Sequence, residues 1–224
     1  MNGLAIDTAV SKITISAKKE DHTVSEIFDI GMKQSETLLP AIQHTLEKIG
    51  LPVSELNYIC IANGPGSFTG LRLGFSAAKA IEMKTSAPLY GIDTLDIYAE
   101  NYKNLPFVVL SCIDAKKDRF YAKAFINKQE ILKDGDYTPE EIAEFIKNCS
   151  SETIFICGSG SAVLSEQLKP LTNKNLISAD FNINSGEILF SMTEKKILAG
   201  EKPLNDYDGP FYLRASEAEV KHNA

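Results

Sequence analysis

The sequence predicts an α/β protein made of two halves, each a mixed β-sheet flanked by helices. Three observations carry this expectation. Short apolar runs of strand length alternate with longer segments of helical period. The order of three strands followed by alternating helix and strand occurs twice along the 224 residues, without a visible sequence repeat. The length allows two modest cores, and 44% hydrophobic with 24% charged residues is ordinary for a folded protein.

In the first half, residues 3–8, 12–18 and 24–30 read as strands joined by short polar turns. Lys12-Ile13-Thr14-Ile15-Ser16-Ala17 alternates with period two, as a half-buried strand does. A helix over 35–49 carries Leu38, Ile42, Leu46 and Ile49 on one stripe and stops at Gly50-Leu51-Pro52. A strand ends at Ala62, a glycine-rich turn opens a helix running to Lys84, and a strand at 88–92 leads to a helix at 94–102. In the second half, 107–113, 119–126 and 130–132 are strand-like, and Thr138 caps a helix over 139–148. A strand at 153–157, a helix to Leu168, a short strand at 175–178 and a helix at 185–199 follow. The boundary falls at Asn104-Leu105-Pro106, giving domains 1–104 and 105–224, with the last segment free to pack back on the first domain. Halves of this pattern are RNase H-like, and two of them make the ASKHA fold shared by actin, Hsp70-type ATPases and sugar kinases.

Composition narrows the function. A net charge of −7 makes the chain a poor solitary binder of nucleic acid, because affinity for phosphate rests on Lys and Arg. No apolar run approaches membrane-spanning length, and Met1-Asn2-Gly3 leads directly into a strand, so a cytoplasmic protein without signal peptide is expected. Cys60, Cys112 and Cys157 sit in apolar runs as buried thiols would, and with Cys149 they show no C-x-x-C spacing.

The richest segment runs from Ala62 to Gly74, as strand, glycine-rich turn and helix. Such a junction can bind anions through unpaired N–H groups. Yet Gly70 is followed by Leu71 instead of the Lys-Ser/Thr of a P-loop, and position 69 is Thr where the dinucleotide-binding motif needs its last glycine. Gly66, Gly70 and Gly74 recur every four residues and continue into Ala77, Ala78 and Ile81, a small-residue stripe along one helix face. Two readings stand: packing against the chain's own sheet, or close approach of a partner. On the partner reading, a large residue at Gly70 or Gly74 abolishes a complex while the subunit stays folded.

Residues Gly64-Pro65-Gly66-Ser67-Phe68-Thr69-Gly70-Leu71-Arg72-Leu73-Gly74 match every element of the G-P-G-S-F-T-G-L-R-x-G signature of the TsaB (YeaZ) family, which the chain resembles. Leu4-Ala5-Ile6-Asp7-Thr8-Ala9 resembles that family's opening strand. Gln34-Ser35-Glu36 with Leu39-Pro40 resembles its H-S-E-x-L-L-P helix start, with Gln34 for His. Residues 211–219 resemble its C-terminal Y-L-R-x-S-E-A-E. The resemblance covers nearly the whole chain. It implies the ASKHA fold and a non-catalytic subunit of the tRNA N6-threonylcarbamoyladenosine synthase, docked on a TsaD-like catalytic subunit and reaching a TsaE-like ATPase through the complex. It also implies homodimers through the same surface, indirect contact with tRNA and no membrane role. The expected contact residues are Leu38, Leu39, Ile42, Phe68, Thr69, Gly70, Leu71, Arg72, Gly74 and Phe75. TsaD-like enzymes place an H-x-x-x-H metal pair where this chain carries Thr94 and Tyr98, and its His22, His44 and His222 lie far apart in sequence. No cofactor of its own is expected, ATP or ADP being placed at or near the complex interface.

The rival is an autonomous ATPase or small-molecule kinase. Asp7 and Thr8 after the first strand, and Asp114 in the second half, stand where proteins of this fold hold phosphates and Mg²⁺, and Gly158 and Gly160 would let an adenosine approach. The alternative is that each aspartate caps its own turn and the glycines make an ordinary strand-to-helix turn. Peptidase chemistry lacks support, since Ser67 follows Gly66 directly and does not form G-x-S-x-G.

Overall fold

In the computed structural model, which describes residues 1–29, 34–179 and 184–214, two five-stranded sheets repeat one topology. The first contains β1 (Gly3–Asp7), β2 (Lys12–Lys19), β3 (His22–Asp29), β4 (Tyr58–Gly64) and β5 (Leu89–Asp93) in the order β3-β2-β1-β4-β5. The β1-β2-β3 meander is antiparallel, and β4 and β5 add in parallel. The connections are α1 (Gln34–Lys48), between β3 and β4, and α2 (Phe68–Thr85), between β4 and β5. After α3 (Thr94–Ala99), the second sheet has β6 (Val108–Asp114), β7 (Phe120–Ile126), β8 (Gln129–Tyr137), β9 (Thr153–Cys157) and β10 (Asn175–Ser178), ordered β10-β9-β6-β7-β8, with α4 (Pro139–Asn148) and α5 (Ser161–Leu168). The last helix is α6 (Ser185–Leu198). Both sheets have the mixed, meander-first topology of an RNase H-like domain, so the fold class is the one expected.

Boundaries differ where polarity hides the period. β8 runs well beyond 130–132, because a sheet-edge strand needs no apolar alternation and its Lys133, Asp134 and Gly135 carry none. The helix expected over 94–102 ends at Ala99 and tightens into a 3-10 turn, Glu100–Tyr102. Ile30, expected in the third strand, lies outside the described residues. The chain divides within α3 and not at 104/105: the first unit comprises 1–97 with 184–211, and the second 98–179 with 212–214 among the described residues.

In the first unit, alternation sorts the strand residues onto two faces. Leu4, Ile6, Ile13, Ile15, Ile59 and Ile61 join Leu38, Ala41, Ile42 and Leu46 of α1 and Phe75, Ala77 and Ala78 of α2 in one core. The opposite face is covered by α6. There Tyr58 meets Phe190 edge-on, with ring centroids 6.1 Å apart. Glu194 Oε1 accepts from Lys18 Nζ at 2.6 Å and from Tyr58 OH at 2.8 Å. Burial alone would raise the Glu194 carboxyl, but the hydrogen bonds from Lys18 and Tyr58 outweigh it and hold it below the usual carboxylate range. A depressed folded pKa means that the contribution is fully present above the unfolded value of about 4.3 and fades as pH falls through the folded value. The wild type should therefore lose thermal stability between about pH 5 and pH 3 more steeply than Glu194→Gln, which should cost about 1–2 kcal/mol at neutral pH. Parallel slopes in calorimetric melts across that range would refute this.

In the second unit, α4 and α5 cover one sheet face through Ile142, Ile146, Leu164 and Leu168, packed on Leu110, Cys112, Ile154 and Ile156. Thr138 and Glu141 form a reciprocal capping box at the start of α4. Asp136 is shared by two guanidinium groups: Arg119 Nε lies 2.9 Å from Oδ1, and Arg214 Nε and Nη2 lie 2.9 and 2.7 Å from Oδ2. Arg214 belongs to the C-terminal motif, whose residues 215–219 lie outside the described residues.

Candidate functional site

The glycine-rich turn is built by its contacts with the turn after β1. Ser67 N–H donates to the Ala9 carbonyl at 2.7 Å, and a Cβ on Gly66 would collide with that same oxygen. Ser67 then caps α2, its Oγ accepting from Gly70 N–H at 3.2 Å. The hydroxyl thus has a structural duty, in keeping with the absence of an esterase elbow.

Along α2 the two readings of the small-residue stripe separate. Gly70, Gly74, Ala77 and Ala78 are buried. At Gly74 a Cβ would run into Thr8 Oγ1 and lie 3.3 Å from Ile61 Cδ1, so the glycine admits the chain's own β1 and β4. The expectation that this stripe receives a partner is corrected: it is core. Leu38, Ile42, Leu71 and Phe75 are corrected with it, all at most 5% exposed. An apolar stripe marks the face a helix buries, and in a one-layer cover that face meets the sheet.

The outward face is offset from the glycines by two residues, half a turn of helix. It carries Phe68, Thr69, Arg72, Ser76, Ala80 and Met83, of which Phe68 is half-buried and Met83 is 86% exposed. The Arg72 guanidinium lies 3.9 Å over the centre of the Phe68 ring, a cation–π stack that holds a long side chain in place on the surface. On α1, Leu39 is 60% exposed beside exposed Pro40. The two helices cover the same sheet face and share its core. Of the ten residues expected at a contact, Leu39, Phe68, Thr69 and Arg72 stand on this surface. Met83 was missed, though its place in the series 68, 72, 76, 80, 83 could have shown it.

The other expected residues serve their own turns. Asp7 is buried and its Oδ1 accepts from Ala9 N–H at 3.0 Å. Thr8 is fully buried against α2. Asp114 Oδ1 accepts from Lys116 N–H, and its Oδ2 from Lys116 Nζ, both at 2.7 Å. A Cβ at Gly158 would strike the Cys112 carbonyl, and one at Gly160 would come within 2.7 Å of Asp114 N. Both glycines admit strand β6 of their own unit, as an ordinary strand-to-helix turn requires. Thr94, where TsaD-like enzymes carry a histidine, is fully buried, and its Oγ1 accepts from Gly64 N–H at 3.1 Å. Tyr98 is also fully buried. Among the described residues no three His, Cys, Asp or Glu side chains gather as metal ligands would, and no helix is long and apolar enough to cross a membrane. His44 keeps an exposed edge and places Nδ1 3.1 Å from Glu26 Oε2.

Two RNase H-like units in series give the fold that actin-like proteins share. Residues 31–169 match the family model of TsaD, tRNA N6-adenosine threonylcarbamoyltransferase. The tRNA threonylcarbamoyladenosine biosynthesis protein TsaB of Escherichia coli is 30% identical over 99% of this chain and 98% of its own length. The Bacillus subtilis protein of the same name is 26% identical over 99% and 97%. The structure of YeaZ from Pseudomonas aeruginosa superposes with a TM-score of 0.77, covering 95% of this chain and 99% of that one, at 22% identity. The chain belongs to the TsaB (YeaZ) family, within the wider TsaD-type group.

Proposed function

We propose that this protein is a non-catalytic subunit for threonylcarbamoyladenosine formation on tRNA, docking a TsaD-type catalytic subunit with the outer faces of α1 and α2. The observation that carries the reading is the outer face of α2, where Arg72 stacks on Phe68 at one end and Met83 is exposed near the other, together with exposed Leu39 on α1, on a protein related to TsaB over its full length. Exposed apolar side chains and an arginine stacked on an aromatic ring are residue types that interfaces favour. The non-catalytic assignment is supported by the use of Thr94 and Tyr98 as core residues where the TsaD-type metal pair would stand. The acidic chain leaves most of the phosphate contact to its partner.

The test is complex formation with the TsaD-type subunit of the same source, read by size-exclusion chromatography with light scattering. The wild type should form a one-to-one complex. Leu39→Asp with Met83→Asp should weaken it by at least about 2 kcal/mol, while stability stays within about 0.5 kcal/mol because both side chains are exposed. A complex indifferent to both substitutions would remove the interface. ATP turnover by the isolated chain, lost in Asp7→Ala, would favour the kinase-like rival instead.

A further inference from the structure

Glu26 occupies a position that the strand pattern reserves for an apolar side chain. On β3 it lies between Val24 and Phe28 on the alternating face, and its cross-strand partner is Ile15, a fully buried core residue. The Glu26 side chain is only 15% exposed. One turn of α1 closes over it with three donors: Lys48 Nζ lies 2.8 Å from Oε1, Thr45 Oγ1 2.7 Å and His44 Nδ1 3.1 Å from Oε2. Thr45 is fully buried, and its single hydroxyl proton is also within reach of the Ala41 carbonyl at 2.8 Å. Burial alone would raise the Glu26 carboxyl, but Lys48, Thr45 and His44 together hold it below the usual carboxylate range.

The apolar contacts of α1, through Leu38, Ala41, Ile42 and Leu46, are non-directional and tolerate small rotations and slides of the helix. A carboxylate meeting donors at 44, 45 and 48 does not. It is satisfied at one rotation and one axial position, the register-fixing use for which a buried ionic group is best suited. We propose that Glu26 is a positioning residue that sets the register of α1 on the sheet, and through it the placement of Leu39 and the α1 half of the docking surface. This rests on the docking role assigned above.

The test compares Glu26→Met and Glu26→Gln with the wild-type chain. Methionine fills the site without directionality. Glu26→Met should keep or raise the melting temperature, because apolar atoms then fill a largely buried position at which the carboxylate had to be desolvated, while Lys48 and His44 are exposed enough to turn to water. It should nevertheless bind the TsaD-type subunit roughly tenfold more weakly. Glu26→Gln, which keeps one acceptor, should fall between. In the isolated chain, amide exchange across α1 should quicken in Glu26→Met while that of α2 stays unchanged. Unchanged affinity and unchanged α1 exchange would overturn the proposal, as would an affinity loss that tracks a fall in melting temperature. If the wild type itself forms no complex, the docking role fails, and the α1 exchange profile still decides whether Glu26 sets the register.

Discussion

Gly74→Trp will prevent the first unit from folding. Gly74 faces Thr8 and Ile61 in the heart of that unit, where even a Cβ meets Thr8 Oγ1. Alanine there gains up to about 1 kcal/mol of helix propensity but overpacks the contact by about 1–3 kcal/mol, so Gly74→Ala should be mildly destabilising. An indole cannot be housed by rotamer changes alone. Its cost should exceed about 5 kcal/mol, comparable with the whole stability of a domain. Thermal melts followed by circular dichroism will show it, as loss of the cooperative transition or of soluble protein. Thr8→Ala removes the first atom met and should restore part of the stability of Gly74→Ala, a coupling that a double-mutant cycle measures. A Gly74→Trp variant melting within a few degrees of wild type would show that α2 does not sit on β1 as described. The substitution is therefore no probe of docking, since any lost complex would follow from lost folding.

The same helix explains what could and could not be read in the sequence. The period of α2 was legible, and so were its start at the glycine turn and the family it belongs to. Which stripe faced outward was not. Small residues spaced by four mark a close approach, and a single sequence does not say whether the approaching backbone is the chain's own. Three-dimensional placement decides it through Thr8, which lies 66 positions before Gly74 and projects from the end of β1. The true surface series holds Arg72, Ser76 and Ala80, residues ordinary on any solvated helix, so only Met83 and the stacked Phe68 distinguish it. Glu26 was equally opaque. A lone acid inside Val24-Ser25-Glu26-Ile27-Phe28 reads as strand-edge polarity until α1 is seen to close over it. Elements with local stop signals read well: α4, with Thr138 and Pro139, and the short strands β9 and β10 were placed to the residue. The return of α6 to the first unit carries no local signal, because the period of a helix does not name the sheet it covers.

That return has a consequence for folding. Residues 1–97 alone should not fold. Without 184–211, the sheet face bearing Tyr58 and Cys60 loses α6, whose Ile188, Leu189 and Phe190 are each at most 6% exposed. Each of those side chains contributes about 1.5–3 kcal/mol on burial, so their loss removes roughly 5–9 kcal/mol from a domain whose net stability is of that order. Four hydrogen bonds go with them: those of Glu194 with Lys18 and Tyr58, Leu204 N–H on the Leu89 carbonyl at 2.8 Å, and Phe211 N–H on the Asn63 carbonyl at 2.8 Å. The last two satisfy backbone groups along β5 and β4 that the truncated chain would leave to water. A chain of residues 1–97 should bind a hydrophobic dye and melt without cooperativity, whereas residues 1–97 joined to 184–211 through a glycine–serine linker should recover a single transition. A cooperative melt from residues 1–97 alone would mean that α1 and α2 suffice to hold the sheet, and that α6 is an addition to a finished domain.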